Sequence, residues 1–242
     1  MGRLGIPASP IKHTLDTLEK CLLLPHLEFE GIYSHFANAN YLEDSKTQEQ
    51  IAYFENILEK LDHPFSLVHL SNSDGIQNFP HSYGSPYNMV RTGINLYGVF
   101  DLEGEKNIQL KPTLSLHSKL IAKRQLPAGA TIGYGGTHVL SKETWVGTIP
   151  AGYADGVPME VGNKGQVLVK GHFCPIIGKV SMDYITIDLS LYPEAEIGED
   201  VILIGRAENT EEITVEDWAR LKGSHPYDVI CSLGKRVERI YL

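Results

Sequence analysis

Apolar positions in the first hundred residues alternate between two rhythms. After Ser9-Pro10, the residues Ile11, Leu15, Leu18 and Leu22 recur at three- and four-residue spacing. That spacing predicts a capped helix with proline at its first position. Leu27 to Phe36 then alternates and turns apolar, which predicts a strand ending at Ser34-His35-Phe36. The clearest helix runs from Glu43 to Leu61, where Ile51, Phe54, Ile57, Leu58 and Leu61 share one face. Phe65 to Leu70 predicts a second short strand, followed by Ser71-Asn72-Ser73-Asp74. Ser73 or Asp74 is placed to cap the helical turn after it. Asn88 to Leu96 reads as a third, buried strand leading into a turn, with Arg91 and Gly93 inside it. Helix and strand alternating in this way predict a parallel sheet with helical crossovers.

The texture changes after Phe100. Asp101 to Gln109 is polar and charged and predicts a linker. Beyond it the apolar pattern becomes that of strands. Thr113 to Leu126 alternates up to a turn at Pro127-Ala128-Gly129, and short strands follow at Trp145–Ile149, Gln166–Val169, Pro175–Ile187 and Val201–Ile204. Gly162-Asn163-Lys164-Gly165 is the plainest turn between them. Val215 to Leu221 predicts a late helix, with Thr214 and Asp217 as the two halves of a capping box. The chain closes on Tyr227–Cys231 and Val237–Tyr241. The expected fold class is therefore α/β plus all-β, with the α/β part spanning residues 1–105 and the strand-rich domain 106–242. Three helix–strand units do not close a parallel sheet with both faces covered. The α/β part is thus expected to be completed by a partner or to belong to something longer.

Bulk composition narrows the function classes. A chain of 242 residues supports one large or two modest cores. The formal net charge of -9 offers no broad positive field for nucleic acid or an anionic membrane surface. No apolar run approaches the ~18 residues of a membrane span, and the opening residues lack the pattern of a signal peptide. Cys21, Cys174 and Cys231 are odd in number and far apart, which predicts reduced, mostly buried thiols and a cytoplasmic setting. No histidine pair has zinc-ligand spacing, so no structural metal is expected.

Polar residues at the expected strand ends are the candidates for chemistry. His35 to Asn40, Ser71 to Ser73, Arg91 to Ile94 and Arg3 would share a face if the strands belong to a parallel α/β barrel. An arginine inside an apolar run is costly unless it has a partner. Ser73 and the backbone amides of Gly93 and Ile94 have the character of a phosphate cradle. His35 has three readings: a base, a ring that stacks, or a satisfied core histidine. The strand-rich half holds two glycine-flanked tyrosines, Tyr134 in Gly133–Thr137 and Tyr153 in Gly152–Gly156. A turn with an aromatic lid explains each equally well. A tyrosine serves as a base only where neighbouring cations or hydrogen bonds favour the phenolate. Ser181-Met182-Asp183 lies within an apolar strand, where Met182 reads most simply as core.

Taken in order, these stretches resemble the pyridoxal-phosphate-dependent alanine racemases. The resemblance is carried by Met1–Gly5, Ser34–Ala37, Asn72-Ser73, Val90–Ile94, Gly133–Gly135, Gly152–Gly156, Ser181–Asp183 and Tyr227. It implies the C-terminal part of an α/β (TIM-type) barrel followed by a β-domain, in a homodimer whose active sites are shared between subunits. Alanine is the implied substrate, and the implied reaction supplies D-alanine for the cell wall. Tyr134 would be one of two catalytic bases. His35 would pack on the pyridoxal ring, and Arg91 would face its pyridine nitrogen. Ser73, Gly93, Ile94 and Tyr227 would hold the phosphate. Arg3, Tyr153 and Met182 would line the substrate side.

The family's Schiff-base lysine lies in an Ala-Asn-Ala-Tyr-like context that residues 1–242 do not contain. The chain is therefore expected to lack that N-terminal segment and to be inactive by itself. Ser181 and His138 are lesser departures, at positions where relatives carry cysteine and tyrosine. Three alternatives follow: one subunit of a split enzyme, a noncatalytic binding or dimerisation module, or a racemase of another small amino acid.

Overall fold

The computed structural model describes residues 1–101, 106, 108–208 and 210–242. The chain divides into two compact units, formed mainly by residues 1–96 and 111–242. Most of the linker expected over Asp101 to Gln109 lies outside the described residues.

In the first unit, α1 (Ile11–Leu22) is followed by β1 (Gly31–Tyr33), α2 (Ser45–Lys60), β2 (Leu67–His69) and α3 (Ser73–Asn78). β1 and β2 pair in parallel, with Ile32 opposite Val68 and Tyr33 opposite His69. The expected strands are thus present but only three residues long. The Asp44 carboxylate caps α2 by accepting from the Lys46 amide. The helix then turns Ile51, Phe54 and Ile57 inward. Ile51 and Phe54 join Phe36, Val68, Leu70 and Phe79 in one core cluster. Each such side chain contributes about 1.5–3 kcal/mol on burial.

Several local expectations are corrected. Pro10 sits at the N-cap of α1 rather than inside it, and no side chain caps that end. Asn72, not Ser73 or Asp74, caps α3, its Oδ1 accepting from the Gly75 amide at 2.9 Å. Asn88 to Leu96 forms no strand. It follows β2 through separate bonds, Asn88 N–H to the Val68 carbonyl and Arg91 N–H to the Ser71 carbonyl, then enters a 3-10 turn at Ile94–Tyr97. The two amide bonds are not continued into a ladder, because the next available donor, the Gly93 amide, goes to the Ser73 hydroxyl. The two-stranded parallel sheet is what the described residues form here, and the TIM-type barrel expectation goes beyond it.

The second unit is built on antiparallel pairing. Its strands are β3 (Leu116–Lys119), β4 (Ala122–Leu126), β5 (Thr131–Ile132), β6 (His138–Val139), β7 (Thr144–Ile149), β8 (Gln166–Val169), β9 (His172–Ile177), β10 (Ile185–Asp188), β11 (Asp200–Arg206) and β12 (Glu212–Ile213). An eight-stranded sheet runs β12-β11-β8-β9-β10-β7-β4, with β3 also paired to β11; β5 and β6 form a separate hairpin. The long strand expected at Pro175 to Ile187 is two strands, β9 and β10, separated by a turn at Ser181–Tyr184. Two helices follow, α4 (Val215–Lys222) and α5 (Pro226–Ser232). Thr214 and Asp217 form the expected capping box on α4. Trp218 of α4 is fully buried, as are Val167, Leu168, Ile187 and Leu203 of the sheet. Tyr227 to Cys231 is helical, and Val237 to Tyr241 has no regular structure. Of the three cysteines only Cys174 is buried; Cys231 is exposed and Cys21 intermediate, so the expectation of mostly buried thiols is corrected.

Candidate active site

Two groups of candidate residues form, one in each unit. In the first unit the guanidinium of Arg91 lies at the carboxyl ends of β1 and β2. It donates to the Ser34 carbonyl at 2.7 Å, the Leu70 carbonyl at 3.1 Å and, more weakly, the His69 carbonyl at 3.4 Å. Its remaining contacts are two imidazoles, His69 Nδ1 at 2.5 Å and His35 Nδ1 at 3.4 Å. Because arginine can only donate, His69 Nδ1 is the acceptor and its ring proton sits on Nε2. The Tyr33 ring stacks on His69 at 5.0 Å and 4°, and the Arg91 guanidinium lies 5.0 Å from the Tyr33 ring centre. The β1–β2 register produces that stack, since opposed residues share a face.

Every acceptor of Arg91 is neutral, and among the described residues no carboxylate pairs with it. Positive charge therefore dominates this corner. Burial, then the charges of Arg91 and Arg3, hold His35 below its ordinary value. Burial and Arg91 do the same for His69. Both imidazoles are consequently neutral near pH 7. Arg3 itself is exposed in an irregular segment, close enough for His35 to feel its charge.

Ser73 is buried beside this corner. Its hydroxyl oxygen accepts from the Gly93 amide at 2.9 Å and, marginally, from the Asn95 amide at 3.5 Å. The Gly93 amide thus meets a hydroxyl where a phosphate was expected, while the hydroxyl's own proton has no partner among the described residues. Ile94 is buried at the start of the 3-10 turn. A hydroxyl proton and clustered amides beside an always-charged guanidinium suit a phosphorylated ligand with a ring acceptor.

In the second unit, Tyr134 is 73% exposed in a 3-10 turn, between the positive-φ glycines Gly133 and Gly135. The Lys179 ammonium reaches the Gly135 position and brings a cation to this loop. Tyr153 and Met182 lie on adjoining turns, and both are exposed. Met182 is therefore not the core residue its simplest reading made it. Tyr227 stands in the first turn of α5, its amide donating to His225 Nδ1 and its ring stacked on the same imidazole.

Sequence reasoning missed Tyr33, His69 and Gln50. Gln50 projects from α2 and pins the backbone after β1, donating to the His35 carbonyl and accepting from the Ala37 amide. A signal for His69 was present, a lone histidine in the apolar run before Ser71-Asn72-Ser73. Gln50 carried none, because its contacts lie 13 and 15 residues away.

The α/β unit carries a cationic corner at its strand ends, and the antiparallel β unit that follows in sequence carries exposed tyrosines. The family model for the alanine racemase N-terminal domain matches residues 1–101, and that for the alanine racemase C-terminal domain matches residues 113–241. The chain belongs to the alanine racemase family. It is 38% identical over 238 residues to the alanine racemase of Syntrophobacter fumaroxidans, covering 97% of this chain and 62% of that protein. The figure is 39% over 244 residues for the alanine racemase of Thermodesulfovibrio yellowstonii, with 100% and 62% coverage. Among solved structures, the alanine racemase of E. faecalis superposes with a TM-score of 0.89 at 34% identity, over 98% of this chain and 62% of that one. A Bartonella henselae alanine racemase with covalently bound pyridoxal phosphate gives 0.85 at 32%, over 100% and 64%.

The chain thus spans 62% of the length of these curated relatives. The alanine racemase N-terminal domain is matched, and that match does not support the expectation that its lysine segment is lacking. No described helix is long and apolar enough to cross a membrane.

Proposed function

We propose that this chain serves in the interconversion of L- and D-alanine with pyridoxal phosphate as cofactor. The carrying observation is the Arg91 corner, a guanidinium held by carbonyls and two imidazoles, with no carboxylate partner among the described residues, beside the buried Ser73 hydroxyl. Bound there, the cofactor would supply an electron sink that acidifies the Cα–H of alanine. Ser73, the amides of Gly93 and Ile94, and Tyr227 would hold its phosphate. His35, kept neutral, would pack on its ring. Arg91 would face the pyridine nitrogen and, unable to accept a proton, keep that nitrogen unprotonated. That placement of Arg91 would favour prompt return of the Cα proton over side reactions.

Racemisation needs a base on each face of the substrate carbon. Tyr134 Oη would take or return the Cα proton on one face, and the cofactor-anchoring lysine would serve the other. Arg3, Tyr153 and Met182 would orient the substrate. In this reading Tyr134, Tyr153 and Met182 act on the site of a second subunit in a cytoplasmic homodimer, and the first unit is part of a TIM-type barrel. The anchoring lysine would come from a segment beyond residues 1–242.

Pyridoxal phosphate titrated against the chain tests the first step. Saturable binding, competed by inorganic phosphate and weakened in Ser73→Ala, supports the reading; no saturable binding refutes it. Borohydride reduction followed by peptide mapping locates the anchoring lysine, and modification of one lysine within residues 1–242 would reject the outside segment.

A further inference from the structure

Tyr153 and Met182 belong to two different turns, and the structure fixes those turns to each other. The Tyr153 amide donates to the Ser181 carbonyl and the Ala154 amide to the Met182 carbonyl, each at 3.0 Å. Gly152 allows this approach, because a Cβ there would stand 2.3 Å from the Met182 carbonyl oxygen. Two amide bonds at the edge of exposed turns are weak anchors by themselves.

A third segment supplies the anchor. Arg236 follows α5 and places its guanidinium between the aspartates of the two turns. Its Nε and Nη2 meet the Asp155 carboxylate at 3.0 and 3.3 Å, and its Nη1 meets Asp183 at 2.8 Å. Asp155 also closes its own turn by accepting from the Gly152 amide at 2.9 Å. The segment carrying Arg236 is itself held. The Gly234 amide donates to the Asp155 carbonyl, and the Arg239 guanidinium donates to the carbonyls of Leu233 and Val237.

We propose that Arg236 is a positioning residue that clasps the Tyr153 turn to the Met182 turn, and so fixes the substrate side of the site. The inference rests on the reading of Tyr153 and Met182 as substrate-facing. One exposed ion pair has little effect alone. Here one planar fork satisfies one carboxylate at two points and a second at another, a geometry lysine cannot reproduce. Without it, two carboxylates on adjoining turns lose their shared cation and repel.

The test compares Arg236→Gln, Arg236→Lys and Asp183→Asn with the wild-type chain by amide hydrogen exchange. Arg236→Gln should speed exchange at Tyr153 and Ala154 roughly tenfold, with strand β8 unchanged. Arg236→Lys should fall between, and Asp183→Asn combined with Arg236→Gln should add less than the sum. Unchanged exchange at both turns in Arg236→Gln overturns the clasp. In the chain co-expressed with the lysine-bearing segment and loaded with pyridoxal phosphate, Arg236→Gln should raise KM for alanine about tenfold with kcat nearly unchanged. Faster exchange with unchanged KM keeps the clasp and rejects the substrate-facing reading of the two turns.

Discussion

Replacing Arg91 with leucine tests the corner on which the proposed site rests. The guanidinium ties Ser34, just after β1, to His69 and Leu70 at the end of β2. Leucine keeps the apolar stem and removes every donor. Leu70 is fully buried, so its carbonyl loses this donor where water does not reach. Ser34 is half-buried and regains part of its loss from solvent. An orphaned buried acceptor costs about 1–3 kcal/mol, and a bond to a charged donor lies at the upper end of that range. The bonds to carbonyls alone, two well formed and one weak, give a gross loss of about 4–5 kcal/mol on that scale. Removing a half-buried cation returns about 1–2 kcal/mol of desolvation. The net expectation is about 2–4 kcal/mol, or a fall of ~10 °C or more in the melting of a unit of about 100 residues. Urea unfolding of the whole chain measures the loss, and exchange at the Ile32 and Val68 amides assigns it to the first unit. Arg91→Lys should recover less than half. A loss below about 0.5 kcal/mol in Arg91→Leu would show that the corner is held by other contacts.

Three further outcomes are expected. Burial and nearby cations lower His35 and His69 in the folded chain, so their contribution to stability is complete above the ordinary value of 6.5 and is lost as pH falls through the depressed ones. Urea midpoints should therefore drop from pH 7.5 to pH 5, less so in His69→Asn; a slope that His69→Asn leaves unchanged contradicts the assignment. Thr214→Ala removes a cap whose Oγ1 accepts from the Asp217 amide at 3.0 Å, and should lower stability by about 1 kcal/mol. Calorimetry finding no change would mean that Asp217 alone caps α4. Burial pushes the Cys174 thiol up to about 12, whereas Cys231 is exposed, so a thiol reagent at pH 8 should label Cys231 first and Cys174 only on unfolding. Fast labelling of Cys174 in the native chain would count against the packing around it.

What the sequence made legible follows from where the information is local. The buried face of α2 and the Thr214–Asp217 box depend on residues within a few turns of each other, and both were readable. Arg91 stood out because a charge in an apolar run needs a partner, but the partners could not be named. They lie 21, 22 and 57 residues away and are mostly backbone carbonyls, which no side-chain pattern records. The strand wrongly expected over Asn88 to Leu96 has the apolar pattern of a strand, but its backbone makes only isolated bonds, Asn88 and Arg91 amides to Val68 and Ser71 carbonyls and the Gly93 amide to the Ser73 hydroxyl. Asn72 displaced Ser73 as the cap of α3 because Ser73 faces Gly93 across the fold. Arg236 reaches Asp183 and Asp155 across 53 and 81 residues, so its clasp exists only once the turns are folded. The roles of the exposed tyrosines came from family resemblance, since glycine-flanked turns with aromatic lids are common without chemistry.

The most direct measurement is racemisation itself, starting separately from L-alanine and from D-alanine with pyridoxal phosphate present. It is made on the 242-residue chain and on the chain co-expressed with the lysine-bearing barrel segment of a relative. Convergence on the same near-equal mixture from either enantiomer is expected with the segment, with its loss in Tyr134→Phe and no turnover by the chain alone. Turnover by the chain alone would place the lysine within these residues, and no conversion in either preparation would contradict the proposed function.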